Sequence, residues 1–267
     1  DAPILRTSGG FFSNPSGNNF TARDNFTAIE EDNTSSSGDA VSTLLNAAAA
    51  INISETSPFA EEAAPGVAVT SVDNNDGQWQ FSTDGTNFTD FGAVSANFSR
   101  LLDGTNPNHK IRFVPNTDFF GTATIKYRAW DKTAGVVGDT GDTSTNGGAT
   151  AFSAGEVTKT IVVNSVNDEP RVSVSDITID EDTSARTLTS FATAESGATQ
   201  LENGQTFTFN LSNNNSGLFD VQPTIASNGT LTFTPKANAN GTATVTAEVV
   251  DSGSGVSPND NTGSNTF

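Results

Sequence analysis

Cysteine and methionine are both absent from this 267-residue chain, and histidine occurs once. Without cysteine, the sequence excludes a disulfide framework and thiolate metal sites, so hydrophobic cores, aided by metal, must hold the fold together. No apolar run approaches the length of a membrane-spanning helix, about 18 residues, so direct membrane insertion is not expected. No signal-peptide pattern opens the sequence, and we interpret the chain as a fragment of a larger protein.

Basic residues are also scarce. The chain has 12 Lys and Arg against 31 Asp and Glu, which gives a formal net charge of −19 at pH 7. Such a charge repels nucleic acid and anionic membrane surfaces, so neither is an expected partner. Cations are the natural partners, because a bound divalent ion would offset the self-repulsion that destabilises the folded state. The alternative is that the acidic surface only maintains solubility.

Residues for the common catalytic mechanisms are equally rare. The single histidine, His109, lies in the turn-rich segment Asn106-Pro-Asn-His-Lys110, where we predict an exposed loop residue rather than a general base. A serine nucleophile would need this histidine beside it, and the sequence has neither a Gly-x-Ser-x-Gly elbow nor a zinc-binding pattern. The acidic clusters map to predicted strand ends rather than to a cleft, which does not favour a glycosidase carboxylate pair. We therefore expect no enzymatic activity.

An internal repeat is the strongest signal that the sequence does contain. The phrase Phe-Val-Pro-Asn-Thr-Asp-Phe-Phe-Gly-Thr-Ala-Thr at 113–124 returns as Phe-Thr-Pro-Lys-Ala-Asn-Ala-Asn-Gly-Thr-Ala-Thr at 233–244. Each copy is followed at the same distance by an aspartate, Asp131 in the first and Asp251 in the second. A repeat of this kind indicates two related modules in tandem.

Two further motifs occur once in each half of the chain. Ile29-Glu-Glu-Asp32 matches Ile179-Asp-Glu-Asp182, and Asp1-Ala-Pro3 matches Asn167-Asp-Glu-Pro170. The second pair of motifs marks the start of each module and therefore places a joint near the middle of the chain. The predicted domains are 1–166 and 167–267.

Alternation of apolar and polar residues predicts β-strands along most of the chain. The apolar positions of segment 122–130 are Ala123, Ile125, Tyr127 and Ala129, and those of 242–249 are Ala243, Val245, Ala247 and Val249. Other predicted strands are 66–72, 78–82, 110–114, 156–163, 171–179, 187–192, 206–211 and 230–234. Turns rich in Gly, Asn and Asp separate many of them, as in antiparallel sandwiches. One short helix is predicted at 39–50, with Asp39 as N-cap, in an insertion of the first module.

Taken together, these motifs resemble the cadherin-like, immunoglobulin-type β-sandwich repeats of very large secreted bacterial surface proteins, especially type I-secreted RTX-type adhesins. In the first module the likeness also includes Gly66-Val-Ala-Val-Thr70, Trp79-Gln-Phe-Ser-Thr-Asp-Gly85, Ile111-Arg-Phe-Val-Pro115 and Arg128-Ala-Trp-Asp131. In the second it includes Phe219-Asp-Val-Gln-Pro223 and Gly229-Thr-Leu-Thr-Phe233. The resemblance implies an all-β fold of two tandem, antiparallel, Greek-key β-sandwich modules. Two departures are a second linker that reads Asp-Glu-Pro instead of the usual Asp-Ala-Pro, and an end at Phe267 that is expected to truncate the last strand.

Calcium is the cofactor that this resemblance implies. Calcium binds about six to eight oxygens, mostly of carboxylates and carbonyls, and sandwich topology gathers such groups at the poles of each module. By analogy with the cadherin interdomain site, the predicted ligands between the modules are Glu30, Glu31, Asp32, Asn167, Asp168 and Asp251. Ligands predicted for joints with neighbouring repeats are Asp131 with Asp1, and Asp180, Glu181 and Asp182. The alternative is that these residues only solvate the poles.

Two other segments have competing interpretations. Segment 142–147 begins like an EF-hand loop, but Ser153 stands where the bidentate glutamate belongs, so a polar turn is favoured. The hairpin that contains Trp79, Phe81, Phe88 and Phe91 is expected to bury one aromatic face in the core. A surplus ring outside that core would be able to stack on a sugar.

The resemblance implies a structural role in the extension region of a secreted bacterial cell-surface adhesin. Its partners would be calcium ions and neighbouring repeats of the same chain, and its location would be extracellular after type I secretion. The competing hypothesis is a binding module for a glycan or a protein ligand, built from the insertion 39–65 and the loop 131–150, because long loops carry function more often than spacers need.

Overall fold

The computed structural model describes residues 4–5, 25–45, 51–52, 66–197, 202, 204–256 and 258–267. Among the described residues the regular structure is almost entirely β-strand, and most of the strand pairs are antiparallel. This confirms the all-β prediction. The chain divides into two compact units, unit 1 at Asp1–Ser165 and unit 2 at Val166–Phe267.

Unit 1 has two main sheets in its described part. Its elements are β1 Ile4–Leu5, β2 Ile29–Glu30, β3 Asp39–Ala40, α1 Val41–Leu45, β4 Ile51–Asn52, β5 Gly66–Val72, β6 Gly77–Ser82, β7 Thr89–Asp90, β8 Ser99–Asp103, β9 Lys110–Pro115, β10 Gly121–Trp130, β11 Thr140–Gly141 and β12 Val157–Asn164. The larger sheet has the order β11-β8-β5-β10-β12-β2, in which β2 runs parallel to β12. The smaller has the order β3-β9-β6-β7, and β1 pairs with β4.

Both main sheets of unit 1 contribute to one hydrophobic core. From β10, Ala123, Ile125 and Tyr127 are buried as the alternation predicts, because successive side chains of a strand point to opposite faces. From the smaller sheet, Trp79 and Phe113 are buried with their ring centroids 5.2 Å apart. The core therefore depends on large aromatic side chains, and strands β5, β6, β9, β10 and β12 confirm the predicted segments.

The predicted helix begins later than expected. The described helix α1 runs from Val41 to Leu45, and residues 46–50 lie outside the described residues. Asp39 belongs to β3 instead, where it pairs with Ile111 of β9. Its carboxylate accepts hydrogen bonds from the backbone N–H and hydroxyl of Thr27 at 2.8 and 2.7 Å. The prediction of Asp39 as N-cap is therefore wrong, because sheet pairing holds this residue before the helix begins.

The segment after β10 covers the outer side of the larger sheet with a second, smaller core. This core consists of Ala68, Leu101, Trp130, Ala151 and Phe152. The Trp130 indole N–H donates to the backbone oxygen of Ala134 at 2.6 Å. Gly135 has φ of +93°, and a Cβ there would lie 2.5 Å from Leu101 Cδ1. Glycine is therefore required where the loop 131–155 turns against the sheet.

Unit 2 is built from shorter sheets. Its elements are β13 Arg171–Ser173, β14 Arg186–Leu188, β15 Thr193–Glu195, β16 Phe207–Asn213, a short 3-10 helix at Ser216–Leu218, β17 Phe219–Ile225, β18 Leu231–Pro235, β19 Val245–Asp251 and β20 Thr262–Thr266. The sheets have the orders β13-β15, β14-β18-β17 and β16-β19-β20. Their inward residues, among them Val172, Leu231, Phe233 and Val249, form one core. The strand predicted at 171–179 ends at Ser173, because only three residues of β13 find partners on β15.

Candidate functional site

The two repeat aspartates occupy equivalent positions at the ends of strands. Asp131 directly follows β10, and Asp251 is the last residue of β19. Both are buried, with 3% and 5% of their surface exposed. Asp131 Oδ1 accepts the backbone N–H of Thr133 at 2.8 Å, and Asp251 Oδ1 accepts that of Gly253 at 2.7 Å. In each unit, the strand-end aspartate thus closes a turn by accepting the backbone N–H of the residue two positions later.

In unit 2, Asn167 brings a group of oxygen atoms together around Asp251. Its Nδ2 donates to both carboxylate oxygens of Asp251, at 3.2 and 3.3 Å, and to the backbone oxygen of Asp260 at 2.7 Å. The Asp260 N–H donates back to the backbone oxygen of Asn167 at 2.7 Å. Asn167 is 8% exposed, so this polar group lies largely out of water. Two of the predicted ligands, Asn167 and Asp251, are therefore in direct contact.

A second ring of polar residues holds the linker in place. Asn259 Oδ1 accepts the Asn167 backbone N–H at 2.6 Å, and Gln205 Nε2 donates to Asn167 Oδ1 at 2.6 Å. The buried Glu202 accepts the backbone N–H of Asp168 at 2.7 Å. Sequence reasoning missed Glu202, Gln205, Asn259 and Asp260, since none has a counterpart in the repeat. The one signal was the run of side-chain oxygens in Asn259-Asp-Asn261.

A glycine allows the backbone after β19 to approach this group closely. A Cβ on Gly253 would collide with the side-chain amide of Asn167. Any other residue at this position would therefore push the 251–253 turn away from the linker. The local sequence Asp251-Ser-Gly253 thus combines an acceptor at the strand end with a residue small enough to let Asn167 reach it.

The remaining predicted ligands lie in different surroundings. Glu31 is buried, and its backbone N–H donates to the oxygen of Asn164 at 2.9 Å, whereas Asp32 is exposed. In the corresponding triplet Asp180, Glu181 and Asp182 are all exposed. Asp182 has φ of +59°, and its Oδ1 accepts the backbone N–H of Asn238 at 2.8 Å. Glu30 is half-buried at the end of β2, and Asp1 lies outside the described residues. The predicted interdomain set draws on both units and stays a prediction.

The oxygen atoms around Asn167 suit a hard cation such as calcium, which accepts carboxylate, carbonyl and amide oxygens. Among the described residues, no three side chains of His, Cys, Asp or Glu form a group that would hold a metal ion. The group therefore relies on the amide and carbonyl oxygens that accompany Asp251. Gln205 Oε1 is fully buried and has no hydrogen-bond partner among the described residues, so the group has spare capacity for a donor or a cation.

Segment 142–147 forms a polar turn. Asp142 Oδ1 accepts the backbone N–H of Ser144 at 2.9 Å, and hydrogen bonds from the side chain and backbone of Ser144 lower the pKa of Asp142. Asn146 Nδ2 donates to the backbone oxygen of Thr143 at 3.0 Å. The side chains that an EF-hand loop would direct at an ion thus bond to the turn itself.

His109 is not the exposed loop residue that the sequence predicted. It is 3% exposed, and its Nδ1 accepts the backbone N–H of Asp103 at 3.0 Å. Burial lowers the pKa of His109, and the charge of Asp103 opposes this shift while that of Lys132 adds to it. The prediction is wrong because the 103–109 loop folds back on itself and encloses the ring.

The aromatic hairpin places its surplus ring under an arginine. Trp79, Phe81 and Phe91 are buried in the core, as predicted for one face. Phe88 is half-buried, and the guanidinium carbon of Arg112 lies 4.0 Å from its ring centroid. Because that guanidinium already stacks on the ring, the face it covers is closed to a sugar.

No protein-family model matches the chain, and no curated protein matches it either. Within the part of the chain that the structure describes, no helix is long and apolar enough to cross a membrane.

Proposed function

We propose that the chain is a pair of tandem cadherin-like, Greek-key β-sandwich modules from the extension region of a secreted bacterial surface adhesin, stiffened by calcium at its joint. The observation that best supports this is the recurrence of a buried aspartate, Asp131 and Asp251, at the end of the corresponding strand in each unit. A buried carboxylate is costly unless it is paired, hydrogen-bonded or bound to metal. Its conservation between the two copies of the repeat indicates a shared role at the poles.

The proposed ligands at the joint are Glu30, Glu31, Asp32, Asn167, Asp168 and Asp251. Bound calcium would supply the positive charge that lets these carboxylates stay close together. Without it, the carboxylates repel one another and the linker bends. The contacts of Asn167 with Asp251 and Asp260 hold the linker residue against the end of β19 and so prearrange part of the ligand set.

The same logic extends to neighbouring repeats. Asp131 with Asp1 would serve the joint that precedes unit 1, and Asp180, Glu181 and Asp182 would serve the joint that follows unit 2. A long row of such joints would hold a distal binding domain away from the cell. The proposal thus includes an extracellular location after type I secretion and a mechanical rather than a catalytic task.

Thermal unfolding in excess EGTA and in millimolar CaCl2, together with small-angle X-ray scattering of both samples, tests the proposal. An ion at a hundredfold excess over its Kd stabilises the folded state by about 2.7 kcal/mol, so the melting temperature rises and the particle becomes longer and stiffer. The double variant Asp168→Asn, Asp251→Asn removes the rise, whereas Asp142→Asn in the exposed turn keeps it. A rise that persists in the double variant would overturn the assignment.

A second candidate function, ligand binding by the loops of unit 1, has one specific observation in its favour. Val136 and Val137 are 63% and 40% exposed at the tip of a loop whose base is fixed by the smaller core. Solvent-exposed valines on a rigid support suit contact with a protein surface. Saturable binding that the double variant Val136→Ser, Val137→Ser abolishes would favour this function over a spacer. The insertion residues 46–50 and 53–65 lie outside the described residues.

A further inference from the structure

We infer that the side-chain amide of Asn167 occupies the cation position of unit 2 in the metal-free protein, and that Gln205 holds the amide in this orientation. The inference rests on the proposed calcium function for the identity of the ion. It concerns only residues of unit 2.

Asn167 Nδ2 has more acceptor oxygens within hydrogen-bond distance than it has N–H groups. Three oxygens surround this one nitrogen, the two carboxylate oxygens of Asp251 at 3.2 and 3.3 Å and the backbone oxygen of Asp260 at 2.7 Å. An amide has two N–H groups, so it cannot give each of the three acceptors its own hydrogen bond. A cation at the same point would contact all three oxygens at once.

Gln205 fixes which end of the Asn167 amide faces Asp251. Its Nε2 donates to Asn167 Oδ1 at 2.6 Å, which turns the acceptor end of the amide away from the carboxylate. The backbone of Asn167 is held separately by Asn259 and Asp260, at 2.6 and 2.7 Å. Only the side chain is therefore left to turn, and the buried, unpartnered Gln205 Oε1 is the atom able to accept from Nδ2 once both amides have rotated.

A cation that enters unit 2 must first displace this amide. After rotation of Asn167 and Gln205, Asn167 Oδ1 would join the oxygens of Asp251 and Asp260 around the ion. The Asn167 amide thus stabilises the metal-free state and weakens cation binding at the same time. Only an ion that binds oxygen strongly can displace the amide, because the ion must replace the hydrogen bonds that are lost.

Asn167→Asp in the full chain tests the metal-free half of this inference. In EGTA the variant places a second carboxylate against Asp251, so we expect the transition of unit 2 to fall by about 5–10 °C in differential scanning calorimetry. Asn167→Ala, which removes the amide without adding charge, should fall less. A melting temperature in EGTA that is unchanged in Asn167→Asp would overturn the inference whatever calcium does.

Gln205→Glu tests whether Gln205 fixes the orientation of the Asn167 amide. A carboxylate at this position accepts from Asn167 Nδ2 and turns Oδ1 toward Asp251, so calcium should bind about tenfold more tightly in isothermal titration calorimetry. Thr206→Glu is the matched control, since it adds the same charge at the neighbouring exposed position, where salt screens it. Equal calcium affinities in the two variants would contradict this role of Gln205, because the added negative charge alone would then explain the tighter binding.

The side-chain amide resonances of Asn167 give a direct readout by NMR and are identified by their loss in Asn167→Asp. In EGTA we expect slow exchange with water, and saturating CaCl2 should shift these resonances. Fast exchange in EGTA would overturn the inference. If the wild-type chain shows no calcium response but Asn167→Asp acquires one, the inference stands and the proposed calcium function fails.

Discussion

The strand-end aspartates of the two units share a local turn but differ in what surrounds them. Next to Asp131, Lys132 binds the carboxylate of Asp103 at 2.7 Å, and a covering loop encloses a small core. Around Asp251 the partners are an amide, a glycine N–H and the closing segment 259–261. Both units therefore have the same turn at the strand-end aspartate, but the residues that surround this aspartate differ between the units.

The largest expected effect comes from removing each aspartate in turn. Asp251→Ala leaves one N–H of the Asn167 amide and the Gly253 N–H without an acceptor, while the other amide N–H keeps the Asp260 oxygen, which should lower the free energy of unfolding of unit 2 by about 2–4 kcal/mol. Asp131→Ala frees only the N–H and hydroxyl of Thr133, an exposed residue that water can satisfy, so about 1 kcal/mol is expected in unit 1. Urea titration of both variants measures the two losses. Equal losses would mean that the poles are more alike than their contacts indicate.

The next largest effect is expected in mild acid, which should lower the stability of unit 1 more than that of unit 2, since the single histidine lies in unit 1. Burial lowers the pKa of His109 in the folded state, so the unfolded chain takes up a proton first as the pH falls through about 6.5. The free energy of unfolding of unit 1 should therefore decrease below that pH. The expected loss is about 1 kcal/mol, the contribution of the hydrogen bond that His109 Nδ1 accepts from the Asp103 N–H. Melting curves between pH 7.5 and 5 measure the loss. A His109→Gln variant whose unit 1 transition keeps the same pH dependence would contradict this origin.

The smallest effect is expected from Lys132→Met. The lysine and Asp103 side chains are 20% and 19% exposed, and without the lysine the Asp103 carboxylate keeps the N–H and hydroxyl of Thr105 as donors. Loss of the ion pair should therefore cost less than about 1 kcal/mol. Chemical denaturation at low and at high salt would show the difference shrinking as salt rises. A loss above that size would indicate that Lys132 neutralises the pole of unit 1 much as a bound cation would.

Alternation patterns predicted the long paired strands well, because burial on one face imposes them directly. In β10, the buried positions Ala123, Ile125 and Tyr127 were identified from sequence alone. Asp39 and His109 were misjudged, since sheet pairing and a loop that folds back on itself override local propensity. Asn167 and Asp251, both named as ligands from the sequence, are in contact, whereas the interdomain cluster stays a prediction. Gln205 was missed because it acts from an irregular segment that does not repeat.

The smaller core of unit 1 has a consequence for where this chain tolerates added sequence. Trp130 and Phe152 anchor both ends of the covering loop, and Gly135 cannot carry a side chain without displacing Leu101. Between these fixed points, the side chains of Val136 and Val137 are exposed to solvent. A foreign peptide inserted between the two valines would be displayed on a rigid base and leave the sheet beneath intact. The same insertion at 150–153 would disrupt the smaller core, because Ala151 and Phe152 belong to it.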